Sequence, residues 1–162
     1  MTTPVEHRVT FTQAGQAELV TAPRPAEPLG PQDVAGRTLV SAVSPGTELA
    51  LYQGQHRRTT FPVTPGYSAV FAVEAVGNGV ADVRPGQHLF STGGHRSHQR
   101  AARADVLPVP EGLASADAAL ARLMAISMTT LVTAAARPPA KVLVTGLGIV
   151  GRLAVQVFAA GG

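Results

Sequence analysis

Cysteine is absent from the 162 residues, which excludes disulfide bridges and thiolate zinc sites within this chain. Tryptophan is absent too and aromatic residues make up only 4%, so any core must be packed from the small aliphatic side chains that dominate the 45% apolar content. Charge is sparse: 14% of residues are charged, the net charge is +3, and Lys141 is the only lysine. The two densest basic stretches, His56-Arg57-Arg58 and His95 to Arg103, have no interleaved aromatics on which bases could stack, so no nucleic-acid partner is expected. Long apolar runs are also missing. The uncharged stretch Leu123 to Ala136 falls short of the roughly 20 residues that span a bilayer. Glu6 and His7 follow a polar opening, without the basic region and apolar core of a secretory leader. The expectation is a cytoplasmic protein with no membrane partner.

From the start to about Pro110, short β-rich runs alternate with Gly and Pro, the grammar of a small all-β unit. Arg8 to Phe11 and Ala17 to Val20 flank Ala14-Gly15-Gln16 as a hairpin; Leu39 to Val43, Tyr67 to Val76 and Gln87 to Phe90 are further strands. The pattern changes after Pro110. Ser115 is placed to cap a helix, Asp117 suits its first turn, and Ala118 to Thr133 continues without Gly or Pro until Arg137-Pro138-Pro139 stops it. Lys141 to Thr145 is expected to be a strand apolar on both faces, as a parallel strand covered on two sides would be. These changes divide the chain into domains at 1–114 and 115–162.

Behind that strand stands Gly146-Leu147-Gly148-Ile149-Val150-Gly151, followed by an apolar helix from Leu153. Strand, GxGxxG and helix in this order form a dinucleotide-binding fingerprint. Gly146 permits the tight turn, Gly148 lets a pyrophosphate approach the backbone, and Gly151 lets the helix pack close, with the amides around Ile149 and Val150 facing the phosphates. The acidic residue that holds the ribose belongs about 20 positions further on, past Gly162. The expected site for NAD(P)(H) is therefore incomplete in this chain.

The stretches Ser41 to Gly54 (SAVSPGTELALYQG), Pro62 to Gly77 (PVTPGYSAVFAVEAVG), Val83 to Phe90 (VRPGQHLF) and Val142 to Gly151 (VLVTGLGIVG), in this order and spacing, resemble the medium-chain dehydrogenase/reductase superfamily. The resemblance covers nearly the whole chain. It implies a mainly β, GroES-like, partly open barrel, then a helix and the first β-α unit of a truncated Rossmann domain. It also implies that the chain is the N-terminal part of a longer oxidoreductase, a homodimer in its full-length form, acting on a small molecule.

The departures from the family pattern bear on the chemistry. Zinc-dependent alcohol dehydrogenases of the superfamily hold their catalytic metal with Cys, His and Cys; by position these resemble Ser44, Tyr67 and Ala125, none a good zinc ligand. No zinc is expected. The wording of Ser44-Pro45-Gly46-Thr47-Glu48 and Pro65-Gly66-Tyr67 is similar to bacteriochlorophyllide dehydrogenase-like members, and Thr64-Pro65-Gly66 is similar to quinone oxidoreductases. Without a metal to stabilise an alkoxide, hydride reduction of a conjugated carbonyl or quinone is favoured over alcohol oxidation, because a neutral donor suffices for delocalised charge. A non-catalytic binding module is the rival reading. By the resemblance, Thr47 matches the hydroxyl of the alcohol dehydrogenase proton relay and Tyr67 replaces the metal-binding His; these two are the catalytic candidates. Glu48 either orients Thr47 or sits on a solvated helix turn, the second being the preferred reading. His95 and His98 lack a carboxylate or thiolate nearby in sequence and alternate onto opposite faces, so no metal site is expected there.

Overall fold

The computed structural model describes residues 4–24, 27–57, 59–134, 136 and 140–161; Arg58 and the expected helix stop Arg137-Pro138-Pro139 lie outside them. The chain forms two compact units, Met1–Ala119 and Leu120–Gly162.

In the first unit, β1 (Val5–Gln13) and β2 (Gln16–Pro23) make the expected antiparallel hairpin, turned at Gly15, whose φ of 76° lies in the left-handed region that glycine tolerates. Five further strands make one antiparallel sheet: β3 (Asp33–Ser41), β4 (Ala69–Val76), β5 (His88–Ser91), β6 (His98–Ala102) and β7 (Val106–Pro108), in the order β6-β3-β4-β5-β7. The central strand is β4, and its nearly continuous apolar run has a clear cause. Phe71 and Val73 pack on one face with Val34, Leu89 and Val106, while Val70 packs on the other with Ala118 and Ala119. Gly36 is where β3 crosses β4 most tightly; a Cβ there would stand 1.9 Å from the Ala72 carbonyl oxygen. The hairpin is tied on by backbone bonds from Val9 N–H to the His95 carbonyl (2.9 Å), from Ser97 N–H to the His7 carbonyl (2.7 Å) and by the reciprocal Phe11 and Val63 pair. The result is the mainly β, partly open barrel with a curled sheet that the sequence leads one to expect.

Two expectations for the helix after Pro110 need correction. Ser115 does not cap the helix: Ala114 holds the cap position, Ser115 is the first helical residue, and its hydroxyl meets His88 Nδ1 at 3.2 Å. The helix is also not continuous. It divides into α2 (Ser115–Ala118) and α3 (Ala121–Ala134), after α1 (Pro45–Tyr52) earlier in the chain. The reason is a competing bond: the Ala119 carbonyl accepts the buried Ser68 hydroxyl at 2.5 Å, and Leu123, four residues on, turns its amide to the Leu120 carbonyl instead.

The second unit holds α3 and α4 (Ile149–Ala160), linked where the Ser127 hydroxyl donates to the Val150 carbonyl at 3.1 Å. The expected strand Lys141 to Thr145 is not formed: these residues make no ladder with any described strand, and Leu143 is 87% exposed. A parallel strand depends on neighbours for its backbone bonds and for covering both faces. Among the described residues none is supplied.

Two ion pairs fix the outer edge of the first unit. Hydrogen bonds from Arg100 and from the Gly30 amide hold the Asp33 carboxyl below its ordinary range, and Arg103 does the same for Asp82. His98 is lowered as well, for a different reason. Burial, joined by the nearby Arg24 charge, lowers its pKa below the ordinary 6.5 despite the 3.1 Å bond to Glu74. The folded state therefore binds fewer protons than the unfolded state just below pH 6.5. Stability should fall as the pH drops from neutrality through 6.5 toward the lowered value, and urea unfolding of His98→Gln should show a shallower fall than the native chain in that window.

Candidate functional site

The site is built at the start of α1. Pro45 occupies the first helical position, where its fixed φ and missing N–H are tolerated, and Ser44 is the N-cap residue but makes no side-chain cap bond. The Glu48 carboxylate does that work instead: Oε1 accepts the Ser44 amide at 2.7 Å, a negative charge placed on the first turn where the helix dipole favours it. This overturns the reading of Glu48 as a solvated residue. It is 6% exposed, and its second oxygen, Oε2, lies 2.8 Å from His95 Nε2.

The imidazole is held on every side. His95 Nδ1 meets the Ser41 hydroxyl at 2.8 Å, and the His95 amide donates to the Pro65 carbonyl at 2.8 Å. Gly66 lies flat against the ring: at φ 96°, a Cβ there would stand 2.8 to 2.9 Å from the His95 amide nitrogen and ring atoms. Beneath the loop that carries His95, the buried Gln99 amide bonds the Gly94 carbonyl at 3.0 Å and the Thr38 hydroxyl at 3.1 Å. Ser41 is positioned by sheet register, since it pairs with Ala69 at the start of β4, two residues after Tyr67.

Thr47 and Tyr67 thus stand beside this cluster without being its core. Thr47 is exposed on α1 and Tyr67 is half-buried; their chain neighbours Glu48 and Gly66 are what touch His95. His95 and His98 do not converge, for His98 turns to Glu74. Sequence reasoning missed the Glu48 and His95 pair. A proline at the first helical position with a carboxylate three residues later was the available signal for Glu48, whereas nothing in sequence ties it to a histidine 47 positions away.

In the second unit the glycine turn leads straight into α4, without the strand expected before it. Gly146 has φ 84°, and a Cβ on Gly151 would stand 1.8 Å from the Gly146 carbonyl oxygen, so the helix starts directly against the turn. Gly148 caps α4 and faces open space, with nothing within 4 Å of where its Cβ would be. Arg152 donates to the Gly148 carbonyl at 2.9 Å, and the amides of Ile149, Val150 and Gly151 precede it in the first turn, where no carbonyl four residues back is helical. This is a backbone suited to an anion such as a pyrophosphate. Among the described residues no three metal-ligating side chains come together, and the side chains of Ser44, Tyr67 and Ala125 do not supply the donor set of a zinc site.

No family model matches the chain, and no curated protein matches it by sequence. Solved structures do match. An oxidoreductase/dehydrogenase of unknown specificity from Escherichia coli aligns with 98% of the chain and 55% of its own length, at a TM-score of 0.88 and 13% identity. The chain has the fold of medium-chain, alcohol dehydrogenase-like enzymes. The short chain alcohol dehydrogenase of Escherichia coli CFT073, complexed with its cofactor NADH, aligns over 95% of the chain and 53% of its own, with TM-score 0.82 and 17% identity. A protein of Bacillus thuringiensis described as an NADPH:quinone reductase aligns over 98% and 50%, with TM-score 0.81 and 21% identity. The chain spans about half the length of the solved structures it matches.

Removing the Glu48 carboxylate leaves the Ser44 amide and His95 Nε2 buried without their partner. Glu48→Ala should cost about 1 to 3 kcal/mol in urea unfolding, while Thr47→Ala, on the exposed side of the same helix turn, should stay within about 0.5 kcal/mol of native.

Proposed function

We propose that this chain carries the barrel and the first cofactor-binding turn of a zinc-independent, NAD(P)(H)-dependent oxidoreductase that reduces a conjugated carbonyl or quinone. The observation that carries the reading is the Gly146 to Gly151 turn. Its glycines sit where a positive φ, open space and a missing Cβ are each required, at the head of α4, in a chain whose fold is that of dehydrogenases. The residues fit the group: Gly148, Ile149, Val150 and Gly151 would hold the pyrophosphate through their amides. When bound, the nicotinamide supplies a hydride, and the chain's own residues orient the acceptor and manage charge on its oxygen.

The absence of thiolate and imidazole at positions 44, 67 and 125 supports the zinc-independent part of the reading. A conjugated carbonyl spreads the negative charge that develops during hydride addition, and a phenol donor at Tyr67 would stabilise it without a metal. Thr47, one residue before Glu48, would serve as a second hydroxyl near the acceptor oxygen. The solved structure described as a quinone reductase favours this substrate class; the NADH-bound alcohol dehydrogenase favours hydroxyl oxidation as the second reading. Full-length protein is proposed to be a homodimer in the cytoplasm; no helix among the described residues is long and apolar enough to cross a membrane.

Nicotinamide absorbance tests the reading directly in protein produced from its whole reading frame. NADPH should be consumed with 2-cyclohexen-1-one or a benzoquinone as acceptor, and Tyr67→Phe should lower kcat about 100-fold, the loss typical of one oxyanion donor. Consumption of NAD+ or NADP+ with an alcohol, and none with the enone or quinone, would move the assignment to hydroxyl oxidation. No turnover in either direction would leave the binding-module reading.

A further inference from the structure

Glu6, Arg8 and Thr10 occupy alternate positions of β1, so their side chains share one face of the strand. Beside β1 runs the segment His95 to Ser97, joined to it by the bonds from Val9 N–H to the His95 carbonyl and from Ser97 N–H to the His7 carbonyl. Those two bonds flank a bridge in which Arg8 and Arg96 stand directly opposite each other. A facing pair flanked in this way makes no backbone bond to itself, and its Cα atoms come within about 4.5 Å with both side chains on one face. Two like charges in that position repel. One carboxylate offsets them: Glu6 Oε1 lies 3.7 Å from Arg8 Nη1, an ion-pair distance too long for a hydrogen bond. Glu74 is engaged elsewhere, by Arg24 at 3.6 Å and by His98 at 3.1 Å. One positive charge of the arginine pair is left without a counter-charge among the described residues.

The hydrogen bonds leave the same place unfinished. Arg8 Nε, Thr10 Oγ1 and Arg96 Nε are buried and have no partner, and among the described residues they are the only buried side-chain nitrogen or oxygen atoms in that condition. Thr10 is 7% exposed. A buried donor without an acceptor carries the full cost of its lost hydration, and the great majority of such groups in folded proteins are paired. Elsewhere in the first unit buried polar side chains do find partners: Glu48 has the Ser44 amide and His95, Ser68 the Ala119 carbonyl, and Gln99 the Gly94 carbonyl and Thr38. All three orphaned atoms fall on one cross-strand bridge and the next position on its face.

We propose that Arg8, Arg96 and Thr10 form a binding site for the carboxylate of a small organic acid. The Nε–H and Nη–H groups on one edge of a guanidinium make a fork that matches the two oxygens of a carboxylate, and the Thr10 hydroxyl adds a third kind of donor. Neither arginine is sealed from water: the Arg8 side chain is 39% exposed and Arg96 is half-buried. Rotation about the bonds of these long side chains turns the Nε–H edge from its buried position toward a ligand. Glu6 sets the charge of that ligand. With one carboxylate already beside Arg8, the pair has a single unmet positive charge, which suits a monoanion better than the double charge of a sulfate or a phosphate monoester. The site lies wholly in the first unit and is independent of the glycine turn and of the hydride-transfer reading.

The test is the pair of Arg8 and Arg96 Nε–H signals in proton–nitrogen NMR, recorded on protein produced from its whole reading frame. Sodium acetate is the probe, and sodium chloride at the same ionic strength is the control. Acetate should move both signals along a saturable curve with its midpoint in the millimolar range, as a ligand of that size allows, and chloride should not. Arg96→Gln should weaken acetate binding about tenfold, the loss expected of one charge-assisted hydrogen-bond pair. Thr10→Val, which removes the hydroxyl and keeps the shape, should weaken it about fivefold. Arg84→Gln, exposed ahead of β5, should leave it unchanged. Arg96→Lys keeps the charge, loses the Nε–H, and serves where Arg96→Gln fails to fold; it should also weaken binding. Equal responses to acetate and chloride, or signals that follow neither, would overturn the proposal. Tighter binding of sulfate than of acetate would overturn the assignment of a singly charged ligand. None of these readouts involves NADPH, so loss of the oxidoreductase reading and loss of the carboxylate site are seen separately.

Discussion

The pairing of β3 with β4 is the constraint on which the rest of the first unit depends. Because β4 is buried on both faces, its register cannot slip without exposing Phe71 and Val73 or Val70, each worth roughly 1.5 to 3 kcal/mol when buried. That fixed register sets Ser41 opposite Ala69, and so sets the end of β3 beside the Pro65-Gly66-Tyr67 turn. Gly36 makes the close crossing sterically possible, and Ser68 at the mouth of β4 reaches across to end α2. Core packing and site geometry are consequences of the same strand.

Onto that frame the chain adds a helix start that is unusual in what it does with its capping group. A glutamate that serves only to close α1 could remain in water. Here both oxygens are buried and used, one on the Ser44 amide and one on His95. Burying a carboxylate is tolerated only where its hydrogen bonds are met, and the loop that carries His95 is itself fixed from below by Gln99. One geometry thus serves both oxygens: the bond that closes the helix also aims the second oxygen at the imidazole.

Much of the fold was legible in the sequence because its signals are local. Gly15 between two β-rich runs gave the hairpin, and the apolar run ending at Val76 gave the central strand. The glycine spacing at 146 to 151 gave the turn that opens α4. What was not legible depends on contacts distant in sequence. The break after Ala118 is made by Ser68, and the burial of Glu48 by His95, neither of which periodicity reports. β6, His98–Ala102, escaped notice because His98, Gln99 and Arg100 offer no apolar alternation; its pairing with β3 and the buried Gln99 hold it. The strand expected at Lys141 to Thr145 failed for the converse reason: its apolar residues fit a sheet, but pairing is a property of neighbours.

Amide chemical-shift mapping with NADPH, on protein produced from its whole reading frame, shows directly whether the glycine turn is a dinucleotide site. The largest shifts should fall on Gly146 to Gly151, centred on the amides of Gly148, Ile149 and Val150, and Gly151→Val should abolish them. Shifts confined to other parts of the protein, or an undisturbed spectrum at millimolar NADPH, would contradict it.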